Sequence, residues 1–289
     1  MTLTLQSEAE LLGQSLPPLL AQAEMLASTV MFGEHGRRRA GQGDEFWQYR
    51  SAAQGDNARQ IDWRRSARSD QHFVREREWQ AAQSVSLWVD TSKSMAFSGD
   101  KARQPKAHRA KLLALSIAVL LLRGGERVGL VGFASPPRPG RRQMIHLAEQ
   151  MGAGSPEEDY GAPTSAGIMP HGRAVFLSDF LGDIGPLEAA LSAAADKGVR
   201  GAILQVLDPA EEDFPFHGRT IFESMGGGLR HETQQADDLR DRYLARLAER
   251  KARLEEMGRA VGWHVSQHHT GQPAQSALLW LYRALEGGR

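Results

Sequence analysis

The chain has 289 residues, 41% of them hydrophobic, and its 35 Lys and Arg balance 35 Asp and Glu. That apolar content is enough for a substantial core, and zero net charge provides no global attraction to nucleic acid or to an anionic membrane surface. The absence of cysteine excludes disulfides, thiolate metal sites and a Cys nucleophile, and is compatible with a cytoplasmic protein.

Residues 5–32 carry Leu, Ala and Met interrupted by Pro17-Pro18, the pattern of one or two short amphipathic helices. No basic residue precedes the Leu-rich stretch, and Glu8 and Glu10 lie inside it, so it does not read as a secretory signal. Residues 1–32 are therefore expected to form a helical lead-in. From 33 to 79 the texture changes to ten Arg, no Lys, eight acidic residues and five Gly, with scattered aromatics such as Trp47, Tyr49 and Trp63. Arg pairing with Asp and Glu while the aromatics pack predicts a folded arm over 33–80 that docks on the remainder. The interspersed acids argue against a nucleic-acid patch there.

Beyond Ser84 strands and helices alternate. Strands are predicted over 85–90, 127–133, 174–179, 201–208, 219–223 and 263–268, and helices over 107–122, 143–151, 186–197, 236–258 and 274–286. The pattern predicts an α/β domain over 81–286: a doubly wound, mostly parallel sheet with helices on both faces. The helix over 107–122 is apolar nearly all round, as a helix buried against a sheet should be. The helix over 236–258 carries one stripe (Leu239, Tyr243, Leu247, Leu254 and Met257) and should lie outside with that face on the sheet. The most apolar stretch, 112–122, is too short to span a bilayer, so no membrane insertion is expected.

The first of these strands stops at a carboxylate followed by hydroxyls, Asp90-Thr91-Ser92-Lys93-Ser94. Asp179 and Asp208 end two later strands. Ligands of doubly wound sheets bind beyond the carboxyl ends of the strands, where strand order reverses. If the strands over 85–89 and 174–178 are neighbours, Asp90 and Asp179 meet at one rim beside Ser92 and Ser94. Such an all-oxygen set suits Mg²⁺ or Mn²⁺, with waters completing the shell. The same side chains also cap turns at strand ends, so a purely structural role stands beside the metal-binding one. His264, His268 and His269 have no acidic residue immediately around them to support a transition-metal site. No G-x-S-x-G elbow, phosphate-binding loop or H-E-x-x-H motif is present.

Asp90-x-Ser92-x-Ser94 after an apolar strand, with Asp179 in a later FLSDF strand end, resembles the metal-ion-dependent adhesion site of von Willebrand factor A domains. The preceding GDNARQIDWRRSAR, with Gly55, Asp56, Arg59, Ile61, Asp62, Trp63, Ser66, Ala67 and Arg68 in place, resembles the signature of the domain-of-unknown-function family 58. The resemblance covers roughly residues 33–286. It implies a von Willebrand factor A-like fold and a Mg²⁺ or Mn²⁺ site at Asp90, Ser92, Ser94 and Asp179 plus a threonine from another loop. The loop after Phe133, SPPRPGRRQ, holds no threonine, which leaves Thr164 as the nearest candidate and Ser135 as a second. The resemblance further implies a non-enzymatic adaptor that works with a MoxR-type AAA+ ATPase on an unidentified client protein. A metal-dependent phosphoester hydrolase using the same Asp/Ser rim is the alternative.

Overall fold

The computed structural model describes residues 18–30, 37–41, 45–53, 61–67, 71–153, 158–223, 227–228 and 230–286. Two compact units emerge, one of Met1–Gly33 with Ser84–Arg289 and one of Glu34–Gln83. Helix α1 (Pro18–Ser28) opens on a proline, which suits a first helical turn, and buries Leu20, Ala23 and Ala27 along one face.

In the smaller unit β1 (Arg37–Gly41), β2 (Glu45–Ser51) and β3 (Phe73–Ala81) make an antiparallel sheet of order β1-β3-β2, with the single turn α2 (Trp63–Ser66) before β3. Hydrophobic period does not announce this sheet, because β3 alternates Arg with Glu. Gly55, Asp56, Arg59 and Arg68 lie outside the described residues. The rest of the motif is a local turn lock. Asp62 Oδ1 accepts from Arg65 N at 3.0 Å, capping α2, while its Oδ2 accepts from Tyr49 Oη at 3.1 Å. Ser66 Oγ donates to Asp62 O at 2.8 Å and accepts from Phe73 N at 2.9 Å, tying the turn to β3. The expectation that the aromatics of this arm pack does not hold for Trp63, which is 56% exposed and meets only the edge of His72 among the described rings.

The larger unit runs β4 (Ser84–Val89), α3 (Lys106–Arg123), β5 (Arg127–Leu130), α4 (Arg141–Ala153), β6 (Arg173–Ser178), α5 (Gly185–Asp196), β7 (Arg200–Leu207) and the short α6 (Pro209–Asp213). A hairpin of β8 (Thr220–Glu223) and β9 (Arg230–Thr233) follows, then α7 (Asp237–Val261), β10 (His264–His269) and α8 (Ala274–Glu286). Strands β10-β7-β6-β4-β5 pair in that order, all parallel. The protein thus has an α/β fold with a parallel central sheet.

The two-residue period of the strands sorts side chains between two cores. Val85, Leu87, Val175, Leu177, Leu204 and Val206 face a core shared with α1, α3, α4 and α8. Trp88, Phe176 and Ile203 face the opposite core, closed by α5 and α7. Helix α1 is therefore no separate lead-in: its buried face belongs to the same layer as α3 and α8. Because β5 and β6 flank β4 on opposite sides, the connections leaving β4 and β6 run through helices on opposite faces, α3 and α5. That divergence opens a crevice at the carboxyl ends of β4 and β6.

Candidate functional site

Asp90 follows the last residue of β4, and its backbone N–H donates to Leu177 O at 2.9 Å, so the β4–β6 ladder itself sets its position. Asp90 is 2% exposed. Oδ1 accepts from Ser92 N at 2.8 Å and Oδ2 from Ser178 Oγ at 2.6 Å. Burial raises the Asp90 carboxyl above its ordinary value despite these bonds, and the nearby Asp179 charge adds to the rise. Ser92 Oγ and Ser94 Oγ lie 3.2 Å apart, bonded to each other at the start of the 3₁₀ turn Lys93–Ala96. Residues 158–161 run across this loop. Lys93 N and Ser94 N donate to Glu158 O and Asp159 O, both at 2.9 Å. A Cβ on Gly161 would stand 2.4 Å from Asp90 Cγ, so only glycine fits there. Beside the loop an open pocket of about 280 Å³ is lined by Asp90, Thr91, Ser92, Glu158, Gly161 and Ala162, among others.

Asp179, one residue beyond β6, is 1% exposed. Its Oδ1 accepts from Leu181 N at 3.1 Å, and its Oδ2 accepts from Lys106 Nζ at 2.8 Å. Lys106 is fully buried at the first turn of α3 and also donates to Glu211 Oε1 at 2.6 Å. Burial favours the neutral amine, but the charges of Asp179 and Glu211 outweigh it and hold the ammonium above its ordinary pKa. Burial also pushes the Glu211 carboxyl up, and the Asp179 charge adds to the rise, against the opposing pull of the Lys106 ammonium. Glu211 is positioned by a capping box: Asp208 accepts from Ala210 N at 2.9 Å, while Glu211 Oε2 accepts from Asp208 N at 2.8 Å.

Of the residues expected at the site, the fold brings together Asp90, Ser92 and Ser94, with Asp179 close enough to act on Asp90 electrostatically. It does not add Thr164, which is exposed and accepts from Ala166 N at 3.1 Å, while Gly161 and Ala162 of that loop border the pocket beside Asp90. The threonine that the resemblance implied for a divalent site is thus not among the rim side chains. Each carboxylate oxygen of Asp90 and Asp179 already accepts a hydrogen bond, one of them from an ammonium. Nor is His268 free to bind a metal: its Nε2 lies 2.7 Å from Arg109 Nη1, and among the described residues no group of three or more His, Asp or Glu converges on a metal position. Lys106 and Glu211 escape sequence reading. One signal existed, since Lys106 falls in phase with Ala110, Leu113 and Ile117 on the buried face of α3, an unusual place for a lysine.

Fold and site together define a parallel α/β domain with a rim of carboxylates and hydroxyls at its strand ends. The family model described as "Protein of unknown function DUF58" matches residues 48–253, and the chain belongs to that family. It is 28% identical over 247 residues to the uncharacterized proteins Mb1516 of Mycobacterium bovis and Rv1480 of Mycobacterium tuberculosis, covering 81% of this chain and 77% of each relative. Among solved structures it is similar to an aerotolerance-related membrane protein from Bacteroides fragilis, with TM-score 0.41, 16% identity and coverage of 70% of this chain and 96% of that one. BatB from Bacteroides thetaiotaomicron compares alike, with TM-score 0.41, 15% identity and coverage of 71% and 98%. No helix among the described residues is long and apolar enough to cross a membrane.

Proposed function

We propose that this protein is a non-enzymatic interaction module of von Willebrand factor A-like type, docking through the rim at the carboxyl ends of β4, β5 and β6. In this reading it works with a MoxR-type AAA+ ATPase in assembling or activating a client protein. The observation that carries it is that the polar groups of the rim are engaged with one another. Ser178 is 1% exposed, and its Oγ, the hydroxyl nearest a carboxylate base among the described residues, already donates to Asp90, so it is unavailable to a substrate. Around these groups the rim offers surface for contact. Phe133, past the end of β5, is 45% exposed, and Tyr160, beside the pocket-lining Gly161, is 41% exposed. Aromatics of this kind anchor interfaces, and polar groups around them set register. The ATPase partner and the client are carried by the family resemblance. An ATP-driven partner acts where ATP is abundant, so the contact is placed in the cytoplasm. The expected Mg²⁺ or Mn²⁺ is not needed for it.

The test is binding of the full chain to the MoxR-type ATPase of the same organism, measured by biolayer interferometry with and without chelator. The Phe133→Ala, Tyr160→Ala double variant should weaken association about tenfold or more, the loss typical of central aromatic anchors, with an unchanged melting temperature. Chelation should change nothing. Undiminished binding by that variant, or phosphate release from phosphoester substrates by the purified wild type, would remove the reading.

A further inference from the structure

Lys106 sits where a lysine is opposed twice. It is fully buried, and it occupies the first turn of an eighteen-residue helix, whose dipole disfavours a cation there. Two carboxylates from different elements hold it, Asp179 Oδ2 at 2.8 Å and Glu211 Oε1 at 2.6 Å, and the Phe97 ring centroid lies 5.7 Å from its nitrogen. Neither carboxylate relies on the lysine alone for its orientation. Asp179 Oδ1 is fixed by Leu181 N and Glu211 Oε2 by Asp208 N. Gln205 Nε2 donates to Asp179 O at 2.8 Å, steadying the same residue from β7.

We propose that the Lys106 ammonium is the resident cation of this rim, so that the wild-type rim is metal-independent and a latent divalent-cation site lies beneath the lysine. The geometry carries the second half. Two backbone-anchored carboxylate oxygens converge on one point, and oxygen-to-metal distances of about 2.1–2.5 Å for hard divalent ions require only a few tenths of an ångström of closure. Removing the lysine leaves space and two converging negative charges at that point, whereas keeping it leaves a fixed positive charge that repels an incoming metal. This inference is independent of the interaction reading, since it concerns what neutralises the rim.

Calorimetric titration of the full-length wild type and of Lys106→Ser with MnCl₂, together with melting temperatures at zero and millimolar Mn²⁺, tests it. The wild type should show neither binding heat nor a melting shift. Lys106→Ser should melt lower than wild type without metal, bind one Mn²⁺ with measurable heat where wild type gives none, and regain stability by mass action. Adding Asp179→Asn should abolish that binding. One Mn²⁺ bound by the wild type would overturn the proposal, as would a folded Lys106→Ser that ignores Mn²⁺. Should Lys106→Ser fail to fold without metal, refolding in Mn²⁺ decides: rescue supports the latent site and continued failure overturns it.

Discussion

His268 shows how one buried ring can make the fold sensitive to acid. Its side chain is 3% exposed, and Arg109 takes its Nε2 as acceptor at 2.7 Å while donating to Thr270 O at 2.9 Å and to Gln272 O at 2.6 Å. Burial, reinforced by the Arg109 charge, pushes the imidazole down to about 4. The unfolded chain takes up that proton near pH 6.5, the folded chain only near 4, so between those values the unfolded state binds more protons and stability falls as pH falls. The full effect is at most roughly 3 kcal/mol. Asp90 works with the opposite sign, because its raised pKa makes the folded state gain as acid protonates it. His268→Gln keeps a neutral acceptor for Arg109 without the titration. Urea melts at about pH 7.5 and about pH 5 should therefore show a smaller acid loss in the variant than in wild type. Equal losses would assign the acid sensitivity to other groups.

Among the elements, α1 and α3 illustrate burial that sequence period does and does not reveal. Leu20, Ala23 and Ala27 are fully buried in the core shared with α3, whereas Met25 on the same helix is 70% exposed. Leu20→Ala should cost about 2–4 kcal/mol, read as a lowered urea midpoint with unchanged slope, while Met25→Ala stays within about 0.5 kcal/mol. The apolar stripe of α1 was legible as a helix, but a stripe does not say what covers it. Helix α3 was legible as buried because apolar residues surround it. The function of its first residue was not, since the partners of Lys106 lie 73 and 105 positions away in the chain. The antiparallel sheet of the smaller unit was illegible for another reason. Its strand β3 alternates Arg and Glu, which period-based reading takes for solvated chain.

At the scale of the molecule, the layered α/β architecture was readable from alternating strands and helices, and so was the rim, because parallel strands deliver their terminal residues to one side. Asp90 and Asp179 were placed together by the single assumption that β4 and β6 are neighbours, which their pairing bears out. The distribution of charge within that rim was not readable, because Lys106, Asp179 and Glu211 meet there from elements far apart in the chain. Thr164 shows the limit from the other side: a residue of the right type in a nearby loop was turned outward, and a glycine took the place beside the carboxylate. The close pack of α1 against α3 and α8 also has a history written into it. During synthesis the apolar face of α1 leaves the ribosome with nothing to cover it, and residues 34–83 emerge before any of α3 exists. At typical elongation rates the helix waits on the order of ten seconds for its partners. A nascent chain arrested before α3 should accordingly bind chaperone through residues 18–28, and release should coincide with the emergence of α3 and α8. In pulse-labelled refolding, the amides of α1 should gain protection together with those of α8 and no earlier, so that a helix made before α3 and α8 is secured only with them.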